Sequence, residues 1–149
     1  MFKHILIPTD GSRLADKGVK AGVKLARALG AKVTGLYVVL PYTSPMYDEA
    51  ALYYVPGLSP AEGKKIFEDQ AKRALARLEK AAKASGVRCL TRLATSGHPW
   101  QAILRTASAA KCDAVVMASH GRSGFGGAIL GSETTRVLAN SKIPVLVVR

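Results

Sequence analysis

The sequence predicts an α/β domain built on an open parallel sheet with helices on both faces. Three observations carry this. Short apolar runs at 2–7, 32–39, 87–94, 113–117 and 143–148 alternate with longer stretches of helical period. A glycine-rich segment, 118–132, lies between the fourth run and a helix start. The length of 149 residues and a hydrophobic content of 48% suit one domain, 1–149, with a substantial core.

Each element has its own signals. Pro8 ends the first strand, and Thr9, Asp10 and Ser12 supply turn and cap chemistry for a helix from Arg13. Leu14, Ala21, Leu25 and Leu29 give that helix an apolar stripe. Gly18 and Gly22 allow close packing, and Gly30 stops it. The second strand, 32–39, ends at Pro41. Residues 40–58 follow with no period, holding Pro41, Pro45, Pro56 and the tyrosines 42, 47, 53 and 54. Such a connection reads either as a lid or partner surface or as a loop packing its own aromatics.

Ser59-Pro60-Ala61-Glu62 combines a cap, a proline at the first helical position and a carboxylate at the third. The helix it opens reaches Ser85 and stops at Gly86. Ile66, Ala71, Ala74, Leu75, Leu78 and Ala82 are expected inward, with Glu68–Lys72, Asp69–Arg73 and Glu79–Lys83 as solvent-facing pairs. After the strand 87–94, Gly97-His98-Pro99 turns into a helix carrying Trp100, Ile103, Leu104 and Ala107. Ser132 is the expected N-cap of a short helix to Asn140, and the strand 143–148 follows.

The stretch 118–132 carries the functional signal. Glycines between a strand and a helix let the backbone bend tightly and aim several N–H groups at one ligand. The following helix N-terminus adds partial positive charge, so the natural ligand is a phosphate. The familiar fingerprints fail. Gly124-Phe125-Gly126 opens a Gly-x-Gly-x-x-Gly motif, but its sixth position is Ile129. Gly126 to Gly131 has P-loop spacing, but Ser132 stands where the lysine belongs. The pattern that fits is Gly-x2-Gly-x9-Gly-Ser, with Ala118 in the first place, then Gly121, Gly131 and Ser132.

That pattern resembles the ATP-binding signature of the universal stress protein family. The resemblance runs along nearly the whole chain. Ile5-Leu6-Ile7-Pro8-Thr9-Asp10-Gly11-Ser12 is similar to the family's opening strand and turn, and Leu36-Tyr37-Val38-Val39 to its second strand. Gly97-His98-Pro99 resembles its Gly-x-Pro turn, and Ile143-Pro144-Val145-Leu146-Val147-Val148 its closing strand. The resemblance implies a doubly wound five-stranded sheet of order 3-2-1-4-5. The first and fourth strands are then neighbours at the switch point, where open α/β sheets bind ligands.

The resemblance also implies a site for ATP, with or without magnesium. Asp10 would accept from the ribose hydroxyls and Val38 would hold adenine through its backbone. Gly121, Gly131 and Ser132 would cradle phosphates, helped by Arg122 and Ser123. Pro8, Thr9, Met117, Gly124, Glu133 and Thr134 complete the expected contact set. On their own, Asp10 also reads as a helix cap and Val38 as strand core.

Enzyme signatures are weak. There is no Gly-x-Ser-x-Gly elbow. His4, His98 and His120 are isolated, without metal-ligand spacing. The glycine loop lacks the lysine that phosphoryl transfer uses. The leading expectation is an ATP-binding regulatory stress protein. The alternatives are a slow ATP hydrolase, and a partner- or nucleic-acid-binding module that holds no nucleotide.

The net charge is +12, but the charges read as scattered, with no basic block and no interleaved aromatics, so nucleic acid is not an expected partner. Cys89 and Cys112 lack CxxC spacing and read as buried reduced thiols in a cytoplasmic protein without a signal peptide or membrane span. Residues 143–148, apolar on both faces and expected at the sheet edge, suggest a homodimer paired through that strand.

Overall fold

The computed structural model describes residues 1–41, 57–120 and 130–149. Among them, nine elements follow in order: β1 (His4–Pro8), α1 (Arg13–Leu29), β2 (Lys32–Val39), α2 (Pro60–Ala84), β3 (Cys89–Thr95), α3 (Pro99–Ala109), β4 (Ala114–Ala118), α4 (Ser132–Asn140) and β5 (Val145–Val148). The five strands form one parallel sheet of order β3-β2-β1-β4-β5, as expected.

Strand alternation divides the core between the two faces. Ile5, Ile7, Val33, Ala114 and Val116 pack with Val19, Val23, Ala26, Leu78 and Ala82 of α1 and α2. Leu6, Leu36, Val115 and Met117 point the other way, against Ile103 and Ala107 of α3 and Val137 of α4. The chain moves outward from β1 to β3, then crosses back to β4 and continues to β5. Right-handed connections in opposite directions place the two helix pairs on opposite faces.

Local chemistry sets the element ends. Ser12 Oγ accepts from Ala15 N at 3.1 Å to start α1, and Gly30, at φ 64°, ends it. Ser59 and Glu62 form the expected capping box of α2. Gly131 rather than Ser132 is the N-cap of α4, so Ser132 is already helical. The third strand begins at Cys89, because the Val87 N–H is drawn to Ala82 O at 2.9 Å to close α2. The fourth begins at Ala114, because Asp113 turns its carboxylate onto the N–H groups of Lys3 (2.8 Å) and His4 (3.0 Å). The fifth begins at Val145.

The helix faces depart from expectation in an instructive way. α1 buries Ala15, Gly18, Val19, Gly22, Val23 and Ala26, not the stripe of Leu14, Ala21, Leu25 and Leu29. The reason is distance. A Cβ on Gly18 would lie 2.9 Å from Ala118 N, and one on Gly22 would lie 2.6 Å from Ile7 Cδ1. The helix lies so close to β4 and β1 that only small residues fit at the contact. Larger leucines stay at its margins. On α2 the inward face is as predicted except for Ile66, which is 40% exposed. Glu68 pairs with Lys64 at 3.8 Å rather than with Lys72. Asp69–Arg73 and Glu79–Lys83 do not close, in keeping with how little exposed pairs return against side-chain entropy.

Cys112 is buried and Cys89 half-buried, both unpaired. Burial pushes the Cys112 thiol up to about 11, so it stays protonated and unreactive at neutral pH. His4 is buried at the sheet's N-terminal end, its Nε2 2.8 Å from Thr34 Oγ1. Burial first, and then the Lys32 charge, hold its pKa below the ordinary 6.5, against the opposing pull of Asp113. A depressed histidine favours the neutral ring in the folded state. Its contribution to stability is present above about pH 6.5 and is lost as the pH falls below that value. The urea midpoint of the wild type is therefore expected to fall between pH 7 and pH 5, and His4→Gln to flatten that slope.

Candidate functional site

A cavity of about 270 Å³ opens at the C-terminal ends of β1, β2 and β4. Pro8, Thr9 and Asp10 line one side, following β1. Leu36 to Leu40 of β2 and its exit form an apolar wall with Phe67 of α2. Pro99 and Ile103 of α3, Met117 and Ala118 of β4, His120, and Gly131 to Thr134 complete the lining.

The first loop is held from several directions. Thr9 N donates to Leu36 O at 2.8 Å, tying the end of β1 to β2. Asp10 Oδ1 accepts from Ser12 N at 2.9 Å, and Thr9 Oγ1 accepts from Gly11 N at 3.1 Å. Gly11, at φ 76°, turns its carbonyl outward, where Arg77 of α2 donates to it at 2.9 Å. Asp10 thus serves the turn and faces the cavity at once.

The second loop is pinned where it leaves β4 and where it enters α4. Ser119 N donates to Val148 O, and Gly131 N to Ser119 O, both at 2.8 Å. Thr134 Oγ1 donates to Ala118 O at 3.1 Å. A Cβ on Gly131 would stand 3.2 Å from Ser119 O and 3.3 Å from His120 Cα. Glycine at 131 lets the two backbones meet closely, where a Cβ would force its neighbours to shift by a few tenths of an ångström. This tight fit comes from loop closure, independently of any phosphate. Ser119 Oγ and His120 Nδ1 lie 3.0 Å apart beside this junction.

The first N–H groups of α4 have no intrahelical acceptor, and Ser132, Glu133 and Thr134 place them at the cavity edge. Glu133 sits in that first turn, but its carboxylate is already committed. Oε2 accepts from Trp100 N at 2.7 Å, and Oε1 lies 3.2 Å from Arg136. His98, the N-cap of α3, makes no side-chain cap bond. Glu133 caps α3 from another helix, joining the two helices that bound the cavity.

The family model for the universal stress protein family matches residues 1–149. A universal stress protein of Thermus aquaticus is 36% identical over 153 residues, covering all of both chains. Another from Methanocaldococcus jannaschii is 33% identical over 154 residues, covering all of this chain and 83% of the relative. A universal stress protein solved in complex with cAMP has 25% identity and a TM-score of 0.72, over 99% of this chain and 97% of that one.

The chain belongs to the universal stress protein family. Of the residues that the family signature singled out, the structure brings Pro8, Thr9, Asp10, Val38, Met117, Gly131, Ser132, Glu133 and Thr134 to one cavity. Gly121, Arg122, Ser123 and Gly124 lie outside the described residues, as do residues 42–56 of the irregular segment. The sequence reading missed Phe67, Ile103 and His120 as lining residues, and Arg77 as a support. Phe67 could have been found from its place on the face with Ala71, Ala74 and Leu78, which runs at helical spacing. Among the described residues no group of histidine, cysteine and carboxylate side chains could hold a metal ion by itself, and no helix is long and apolar enough to cross a membrane.

Glu133→Ala should remove the cap of α3 and destabilise the protein by about 0.5–2 kcal/mol, the usual range for a lost N-cap. Glu133→Gln keeps an oxygen acceptor for Trp100 N and should lose less. Urea unfolding followed by the emission of Trp100, the single tryptophan, checks both variants.

Proposed function

We propose that this universal stress protein holds ATP, with or without magnesium, in the switch-point cavity and acts in the cytoplasm as a regulatory nucleotide-binding module. One observation carries the reading: Asp10 and the first turn of α4 line the same cavity. The apolar wall from Leu36 to Leu40 with Phe67 suits a flat base, and the backbone of Val38 lies along it. Asp10 is placed to accept from the sugar hydroxyls. The N–H groups of Ser132, Glu133 and Thr134, with the helix's partial positive charge, suit the phosphates. The family relative that binds cAMP supports an adenine nucleotide as the ligand class.

Denaturing the purified protein and identifying the released small molecule tests this directly, with an adenine nucleotide expected. Asp10→Ala should weaken ATP binding by roughly 10–100-fold, the cost of hydrogen bonds to a charged group. The same variant should lose much less toward a 2′,3′-dideoxy analogue. Calorimetry showing equal losses for both would reduce Asp10 to a turn residue.

The same reading includes a homodimer through β5, the last strand of the sheet. Pro144 O and Val148 O accept from Val115 N and Ser119 N of β4. In a parallel ladder the N–H and C=O of one residue point the same way, so Val145 and Val147 turn theirs to the open side. Leu146, 48% exposed, adds apolar surface beside that edge. Val147→Pro removes an outward N–H without touching the β4 ladder, so it should convert dimers to folded monomers in sedimentation. A wild type that sediments as a monomer at micromolar concentration would refute the pairing.

A further inference from the structure

The basic residues of α1 are not scattered once the helix forms. Arg13, Lys17, Lys20, Lys24 and Arg27 recur at spacings of four and three. At 3.6 residues per turn they fall within about 80° of arc and along about 21 Å of helix. All five are exposed, diametrically opposite the buried line of Ala15, Gly18, Gly22 and Ala26. The one acidic residue of α1, Asp16, leans toward Arg77 of α2 at 4.0 Å. Asp16 borders the stripe, three residues from Arg13 and four from Lys20, but lies outside its arc.

We propose that this face of α1 binds the phosphate backbone of duplex nucleic acid without regard to base sequence. The stripe is costly to the helix that carries it. Each cation faces like charge three or four residues away, and Arg13 and Lys17 lie near the positive end of the helix dipole. A local arrangement that works against its own element is expected at a functional surface. α2, on the same side of the sheet, shows the contrast. There Glu62, Glu68, Asp69 and Glu79 are interleaved with the lysines and arginines, which is the pattern of a plain solvated face.

The chemistry selects among polyanions. A helix that lies on a membrane places large apolar or aromatic residues beside its cations. The residues flanking this stripe, Leu14, Ala21 and Leu25, are turned partly into the protein, and α1 has no aromatic residue. The same lack of aromatics leaves no platform on which unpaired bases could stack. A straight rod of cations without insertion groups matches the regular phosphate array of a duplex, where affinity comes from counterion release.

The test is the salt dependence of binding between the full chain and a short mixed-sequence DNA duplex, read by fluorescence anisotropy. Engagement of three to five phosphates should give a slope of log K against log salt of about −2.7 to −4.5. Changing Lys17, Lys20 and Lys24 together to glutamine should make that slope shallower by about 2.7. Glutamine keeps helix propensity and relieves the like-charge repulsion, so circular dichroism should be unchanged and the urea midpoint equal or slightly raised. Changing Lys72, Lys80 and Lys83 of α2 to glutamine removes the same charge elsewhere and should leave the slope nearly intact. Equal effects of the two triple variants would overturn the proposal in favour of net charge alone. So would an absence of duplex binding at low salt, or binding to phosphatidylserine vesicles in preference to the duplex.

Discussion

The pairing of β1 with β4 is the constraint on which the rest of this structure turns. Ile5 meets Ala114 and Leu6 meets Val115, although the chain runs out to β3 before it returns. Asp113 fixes the start of that pairing by accepting from two backbone N–H groups at the head of β1. Because the connections leave β1 and β4 toward opposite faces, their C-terminal loops part, and a crevice opens between them. Asp10 and Gly131 reach one cavity for that reason alone.

Close approach is the second determinant. Gly18 and Gly22 bring α1 onto the backbone of β4 and the side chain of Ile7. Gly35 does the same between β2 and α2, where an added Cβ would lie 2.9 Å from Leu78. Gly131 closes the long loop against Ser119. These positions trade helix and strand propensity for contact distance. The exchange succeeds because dispersion and burial across a packed interface outweigh a propensity difference of about 1 kcal/mol. The cavity's walls are firm because the helices behind them are seated this tightly.

The carboxylates and the cations divide the work unequally. Asp10, Glu62, Asp113 and Glu133 all accept from backbone N–H groups at turns, helix starts or strand starts. Among the described residues the ion pairs are few and exposed: Lys64–Glu68, Arg77–Asp16 and Arg136–Glu133. The net charge of +12 is therefore expressed at the surface, and on α1 it is ordered by helical period.

The sequence alone determined the element order, the capping chemistry at Ser12 and Ser59, and the loop-before-helix arrangement that marks the site. Those signals are local: period, turn residues and cap residues act within a few positions of one another. The family signature added the strand order and nine of the nineteen residues that line the cavity. Tertiary structure decided the rest. Which face of α1 is buried depended on how near β4 lies, not on where the leucines fall. Gly131 answers to Ser119, Glu133 to Trp100 and Arg77 to Gly11, each a partner that only the assembled sheet brings within reach. Contacts across tens of residues leave no period in the chain, so packing geometry alone could reveal them.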